Sequence, residues 1–316
     1  MSVGVIGHLP NPTAAEAAGL ARAAEAHRAD WLGLADAFWW RDVWLLLAEA
    51  ARATTTLGLG PGMTNPYLRH PFHTVSALAT LQELAGDRVI VGIAAGGSEV
   101  SGAAATSRRD APARVADLVA TIRRVAAGGP LDPVSGKPLE LDLAPLPVIV
   151  VGRGDAMLRT AGEVADRVLV WSVPDSDLER TVAVIEQGVA RRRGGGRPEL
   201  VWAPLVVLDP DDRAHVGRVA VYAALNGAAH LRRSWGLSPA AVATIRAALV
   251  RGDVDEAMAR VPDAALADLV HPDPDPAAMA RRGRALGLTG VAVPGFDATS
   301  LPARLAWAHE LAAALA

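Results

Sequence analysis

The segment Gly60-Pro61-Gly62-Met63-Thr64-Asn65-Pro66-Tyr67-Leu68-Arg69-His70-Pro71 packs glycine, asparagine and proline too densely for regular strand. It forces unusual backbone geometry at one point and then hands over to a helix with proline at its first position. It reads either as a tight turn or as the floor of a ligand site. A second segment, Val151-Gly152-Arg153-Gly154-Asp155, sets two glycines ahead of a helix start. Free backbone N–H groups there, with Arg153 beside them, can hold a phosphate. A plain turn with Asp155 as the N-cap is the other reading. A third, Asp36-Ala37-Phe38-Trp39-Trp40, pairs a polar anchor with three aromatics in a chain that is only 4% aromatic. Trp39 and Trp40 can wall a planar substrate, or pack under an insertion. His8, in Ile6-Gly7-His8-Leu9-Pro10, can move a proton near neutral pH or serve the structure alone. His8 and Asp36 are the catalytic candidates. Arg69 either orients a polar substrate or braces the turn.

Several chemistries are excluded or disfavoured. The chain has no cysteine, so disulfides, thiolate metal sites and a cysteine nucleophile are absent. Lys137 is the only lysine, and its Gly/Pro-flanked setting reads as a loop rather than a Schiff-base site. The histidines lack a tight metal-ligand spacing, and none of the common hydrolase, nucleotide or calcium motifs occurs, so no metal is expected. Lys+Arg 31 against Asp+Glu 34 gives a net charge of −3, which argues against nucleic-acid partners. No apolar run approaches a membrane span, and the N-terminus is not a secretory signal. The expectation is a cytoplasmic protein acting on a small molecule.

These segments need a scaffold. The 316 residues, 51% of them hydrophobic, are enough for one large barrel or two domains. Short β-branched runs are predicted as strands at Val3–Gly7, Trp31–Ala35, Leu57–Gly60, Arg88–Ile93, Pro147–Val151, Arg167–Trp171, Leu200–Leu208 and Gly290–Val293. Helices are predicted between them, near Thr13–Arg28, Asp42–Arg52, Pro71–Leu84, Arg114–Ala127, Asp155–Ala165, Asp175–Arg193 and Asp212–Ala223, with a last one at Leu301–Leu315. Consecutive apolar positions in each strand mean burial on both faces, as in a parallel sheet. Eight strand–helix units predict an α/β fold, a (β/α)8 TIM barrel, with a doubly wound sheet as the alternative. Two long connections, Ser98–Arg114 and Asn226–Met279, are read as insertions after strands four and seven of a single domain over residues 1–316. Every segment singled out above then falls at a C-terminal strand end, where barrels place their sites.

Leu59–Pro71 also resembles the signature of the coenzyme-F420-dependent methylenetetrahydromethanopterin reductases, within the bacterial-luciferase-like flavin and deazaflavin oxidoreductases. The likeness continues through Thr80–Val89 and Ile90-Val91-Gly92-Ile93. It returns in Met157–Val170, around Arg251-Gly252-Asp253-Val254 and over Asp273–Val293, in the same order along nearly the whole chain. The resemblance implies a luciferase-like barrel with a non-proline cis peptide at Gly62–Met63, in a bulge ending strand three. It places Met63 behind the ring of a deazaflavin, with Thr64 and Asn65 close by. It also makes Gly152, Arg153, Gly154 and Asp155 the phosphate loop, and sets Gly96, Gly97 and Trp171 against the cofactor. The chain departs from the reductase pattern at Ala37, Ala94, Gly97 and Asp155, and it has Gly7 and His8 where the relatives carry a glutamate. The implied function is F420-dependent hydride transfer with an imine, carbonyl or activated alkene. An FMN-dependent two-component monooxygenase and a non-catalytic flavin-binding relative are the alternatives. A homodimer is expected by analogy.

Overall fold

Strand β1 (Ser2–Gly7) is buried at five of its six positions, too apolar for a sheet with a wet face. The same holds for β2 (Trp31–Leu34), β3 (Gly58–Pro61), β4 (Val91–Ala94), β5 (Val148–Val151), β6 (Arg167–Trp171) and β7 (Glu199–Ala203). In the computed structural model, which describes residues 1–96 and 110–316, these strands pair in parallel. Two more short strands, β8 (Leu205–Val206) and β9 (Val270–His271), precede β10 (Gly290–Gly295). The main sheet runs β3-β2-β1-β10-β7-β6-β5-β4. Bridges from Leu59 to Val89 and from Thr64 to Ile93 join its two edges, so the eight strands close into the predicted barrel.

Period-two alternation sorts the strand residues between two cores. Ile6, Trp31, Ile149 and Leu169 point inward with Ile90, Val201 and Ala292, filling the barrel lumen. Their neighbours Val5, Leu32, Val148, Val150, Val168 and Val170 point outward and pack with the helices. Met63, Val151 and Trp171 sit on the lumen cluster and mark its upper end. A ligand at the barrel mouth therefore meets the ends of β3, β5 and β6 first.

Two sequence expectations change. Leu200–Leu208 is not one strand. Pro204 has no N–H for the ladder, so the barrel pairing ends at Ala203. Leu205–Val206 instead pairs with Val270–His271 in a separate two-stranded sheet. The 226–279 insertion holds helices Ala229–Ser234, Pro239–Val250, Val254–Ala259 and Asp263–Leu269. Its Leu231, Trp235, Ile245 and Leu269 form an apolar cluster with Val221 and Leu225 of the helix Asp212–Asn226, which fixes it over the mouth. A helix at Pro276–Ala285, missed because of its polar, arginine-rich sequence, leads into β10. The expected insertion at 98–114 lies largely outside the described residues, as does Gly97. Among the described residues no helix is long and apolar enough to cross a membrane.

Candidate active site at the barrel mouth

The Gly62–Met63 peptide is cis, as the resemblance predicts. The segment around it stitches two strands together. Gly62 N–H donates to the Leu34 carbonyl of β2 at 2.6 Å. Thr64 N–H donates to the Gly92 carbonyl, and Ala94 N–H donates to the Thr64 carbonyl, both at 2.9 Å. The residues this demands are visible in the sequence. A Cβ on Gly62 would stand 2.6 Å from the Gly33 Cα, and one on Gly92 would stand 2.3 Å from the Met63 sulfur. Only bare backbone fits at both places.

Thr64 is fully buried, and its hydroxyl donates to the Asp36 carboxylate at 2.7 Å. Burial raises the Asp36 carboxyl above its ordinary value; the Thr64 bond and the Arg69 charge work the other way. Asp36 thus holds the bulge, and its neighbour Ala35 supplies the cavity wall there. Asn65 is buried, and its side-chain oxygen accepts from Tyr67 and Leu68 N–H, both at 3.1 Å. That turn aims Arg69 at Asp42, which caps the helix Val43–Ala53 through Trp44 N–H.

Three cavities line up across the mouth. The first, of about 600 Å³, is walled by Gly96, Gly152, Arg153, Gly154 and Met157, with Asn226 and Arg232 facing them. The second, of about 250 Å³, lies against Gly62 and Met63 and is walled by Ile6, His8, Val151, Leu169 and Trp171. Val151 and Arg153 border both of these. The third, of about 350 Å³, is shared by His8, Trp39, Trp40 and Phe296 with the helix residues His215, Arg218 and Tyr222. His8 and Tyr222 border the second and the third. Through these shared walls the three cavities follow one another from the 152–154 loop, past the bulge, to the tryptophans.

The far end suits an anion. Gly154 is the N-cap of the helix Asp155–Val164 and has no side chain to satisfy the first N–H groups, which stay available. Among the described residues a Cβ on Gly154 would meet nothing within 4 Å. Among the described residues the Arg153 guanidinium reaches only the Ser172 and Ala223 carbonyls, each at 3.5 Å. Burial pushes its pKa down to about 10, which leaves it charged at neutral pH. Arg153 borders three cavities: among the described residues no carboxylate lines the two larger ones, while Asp177, paired with His230 and Arg180, lines the smallest. Asp155 is not the N-cap of the alternative reading. It is the first helical residue, paired with Arg180 at 2.5 Å and Arg159 at 3.7 Å, so its charge is compensated away from the groove. Ser172, beside Arg153, holds a left-handed φ of 46°, and its buried hydroxyl has no partner among the described residues.

At the centre, His8 stacks on Trp171 with ring centroids 6.1 Å apart. Burial holds its imidazole below the ordinary histidine value. A bond to its own backbone opposes this, and the nearby His215 adds to it. Burial therefore favours the neutral imidazole of His8 over the imidazolium. Trp39 and Trp40 meet edge to face at 6.4 Å and 76°. His215, Arg218 and Tyr222 were not singled out from the sequence. Their spacings of three and four on one helix were the available signal, but nothing local tells that this face looks into the barrel.

A family model described as luciferase-like monooxygenase matches residues 2–285. The chain is 28% identical over 256 residues to the 5,10-methylenetetrahydromethanopterin reductase of Methanolobus tindarius, covering 78% of each chain. Among solved structures, the coenzyme F420-dependent tetrahydromethanopterin reductase from Methanopyrus kandleri matches with a TM-score of 0.77 and 23% identity over 97% of both chains. An F420-dependent secondary alcohol dehydrogenase in complex with an F420–acetone adduct matches with a TM-score of 0.69 and 17% identity, over 100% of this chain and 99% of that one. The two structural matches speak for the fold.

Proposed function

The chain belongs to the luciferase-like monooxygenase family, and from that premise we propose that it is an oxidoreductase using coenzyme F420 to transfer a hydride to or from a small organic substrate. The observation that carries this reading is the row of three cavities with shared walls, the glycine-flanked Arg153 loop at one end, the Gly62–Met63 bulge at the middle and His8 between the second and the third. The names of the reductase and dehydrogenase relatives support the same cofactor.

The residues present fit such a group. Arg153, the Gly152 and Gly154 backbone and the first N–H groups of the helix Asp155–Val164 would hold its phosphate. Met63, Val151 and Trp171 would wall its ring. When bound, the deazaflavin supplies the carbon that takes or gives the hydride. The chain's own part is then orientation, exclusion of water and the proton. Neutral His8 accepts the proton from a substrate hydroxyl or amine as the carbon beneath it is oxidised, and returns it in the reverse direction. Asp36 is a positioning residue: it lines none of the three cavities and holds Thr64, the residue after Met63.

The second reading is an FMN-dependent monooxygenase, favoured by the description of the family model itself. A titration of the protein with F420 and with FMN, followed by absorbance and fluorescence, separates the two. Saturable perturbation of F420 with weaker or no response to FMN is expected. The reverse order replaces the reading, and no binding of either overturns both.

A further inference from the structure

The cleft beyond His8 has a lining with a distinct chemistry. The helix Asp212–Asn226 presents His215, Arg218 and Tyr222 on one face, and Trp39 and Trp40 line the same cleft from the loop after β2. Phe296 also lines it, and His215 stacks on its ring with centroids 4.9 Å apart and planes 21° from parallel. The Phe296 ring is clamped by Arg304, whose fully buried guanidinium sits 4.4 Å from the ring centroid and pairs with Asp212 at 2.6 Å. A cationic clamp of this kind fixes one aromatic wall, while Trp39 is 46% exposed and free to adjust.

Arg218 is the guanidinium in the lining, beside two imidazoles, and among the described residues no carboxylate lines the cleft. The nearby Asp297 accepts from Thr299 N–H and from Ser300 N–H and hydroxyl, so its carboxylate is committed to its own turn. At about 350 Å³ the cleft has room for a fused two-ring compound but is small for a long polar cofactor.

We propose that this cleft seats a compact planar aromatic substrate carrying a carboxylate, its ring against the Trp40 and His215–Phe296 faces and its anion at Arg218. The proposal deepens the reading above, because it takes this cleft as the substrate side of the cofactor groove. Aromatic faces hold a flat ring with little entropy cost, and an arginine with no carboxylate beside it in the lining selects the anion over its neutral counterpart.

The test is calorimetric titration of the full chain, with and without F420, using 2-naphthoate and its neutral twin 2-naphthamide. Naphthoate is expected to bind about ten-fold more tightly than the amide. Arg218→Ala should abolish that preference with no change in melting temperature, and Trp40→Leu should weaken both probes alike. Equal affinity for the two probes, a preference that survives Arg218→Ala, or no binding of naphthoate to the F420-loaded protein overturns the proposal. If F420 fails to bind while naphthoate still shows the Arg218-dependent preference, the cofactor reading falls and the aromatic-anion seat stands.

Discussion

Gly92 has no side chain because Met63 occupies its place: a Cβ there would lie 2.3 Å from the Met63 sulfur and 2.6 Å from the Pro61 carbonyl oxygen. The thioether can move, but the carbonyl belongs to the strand end that carries the bulge. Gly92→Ala should therefore overpack the site and destabilise the protein by about 1–3 kcal/mol. It should also weaken cofactor binding, because the displaced Met63 enters the cavity beside the bulge. Thermal unfolding and F420 titration check both effects. Adding Met63→Ala should restore part of the melting temperature and not all of it, since the clash with the Pro61 oxygen remains. A Gly92→Ala protein that melts and binds as the wild type would show that Met63 is not seated on that strand.

Arg153 lies among carbonyls; the Asp177 carboxylate in the smallest cavity it borders is paired with His230 and Arg180, and among the described residues no carboxylate lines the two larger ones. Such a group costs stability in the empty protein and contributes binding once an anion arrives. Arg153→Met should thus act in opposite directions on two measurements. The melting temperature of the empty protein should hold or rise, while the F420 dissociation constant rises by about ten- to a hundred-fold. Gly154→Leu should weaken F420 by filling the open space in front of the loop, with the fold intact. Parallel loss of stability and affinity in Arg153→Met would assign the arginine to the scaffold instead.

What the sequence disclosed was local. The bulge at Gly62–Met63 is implied by the resemblance, while the irregular backbone at 60–71 and seven of the eight barrel strands follow from composition and spacing within a dozen residues. The exception, Leu200–Leu208, contained its own breaker in Pro204, and the apolar run on both sides hid it. Pairings across the chain were not legible. Asp36 and Thr64 are 28 positions apart, and neither residue alone says that the carboxylate ends on that hydroxyl rather than on a substrate. Arg69 likewise finds Asp42 only because the Asn65 turn aims it there. The helix face carrying His215 and Arg218 gains its meaning from the barrel mouth it overlooks, and that placement is tertiary.

The Thr64 hydroxyl bond favours the charged form of Asp36, against the burial that raises its carboxyl. Thr64→Val removes the bond and keeps the volume. The Asp36 carboxyl should then rise further, so the charged form would appear only at higher pH. If the ionised carboxylate holds the bulge in its binding geometry, the acidic limb of the F420-affinity profile moves to higher pH in Thr64→Val. Asp36→Asn should flatten that limb. Identical acidic limbs in wild type and Thr64→Val would remove Asp36 from any role at the site beyond packing.

Glu25, in the last turn of the helix Ala14–Ala26, holds the turn that leads into β3 and so to the bulge. One oxygen accepts from the N–H groups of Thr55, Thr56 and Leu57 and from the Thr56 hydroxyl, at 2.6 to 3.1 Å. Partial burial pushes its carboxyl up, but the donors of Thr56, Thr55 and Leu57 outweigh it and hold it down at about 2. A carboxyl depressed in the folded state stabilises the protein above its unfolded value and loses that contribution as pH falls toward the folded value. Glu25→Gln keeps an oxygen for the donors and removes the charge. At pH 7 it should melt about 2–4 °C below wild type. The gap should narrow as pH drops below about 4.5 and should close toward pH 2. Chemical denaturation at a series of pH values measures it, and a gap that stays constant from neutral pH down to the acid range would show that the Glu25 charge does not secure the approach to the bulge.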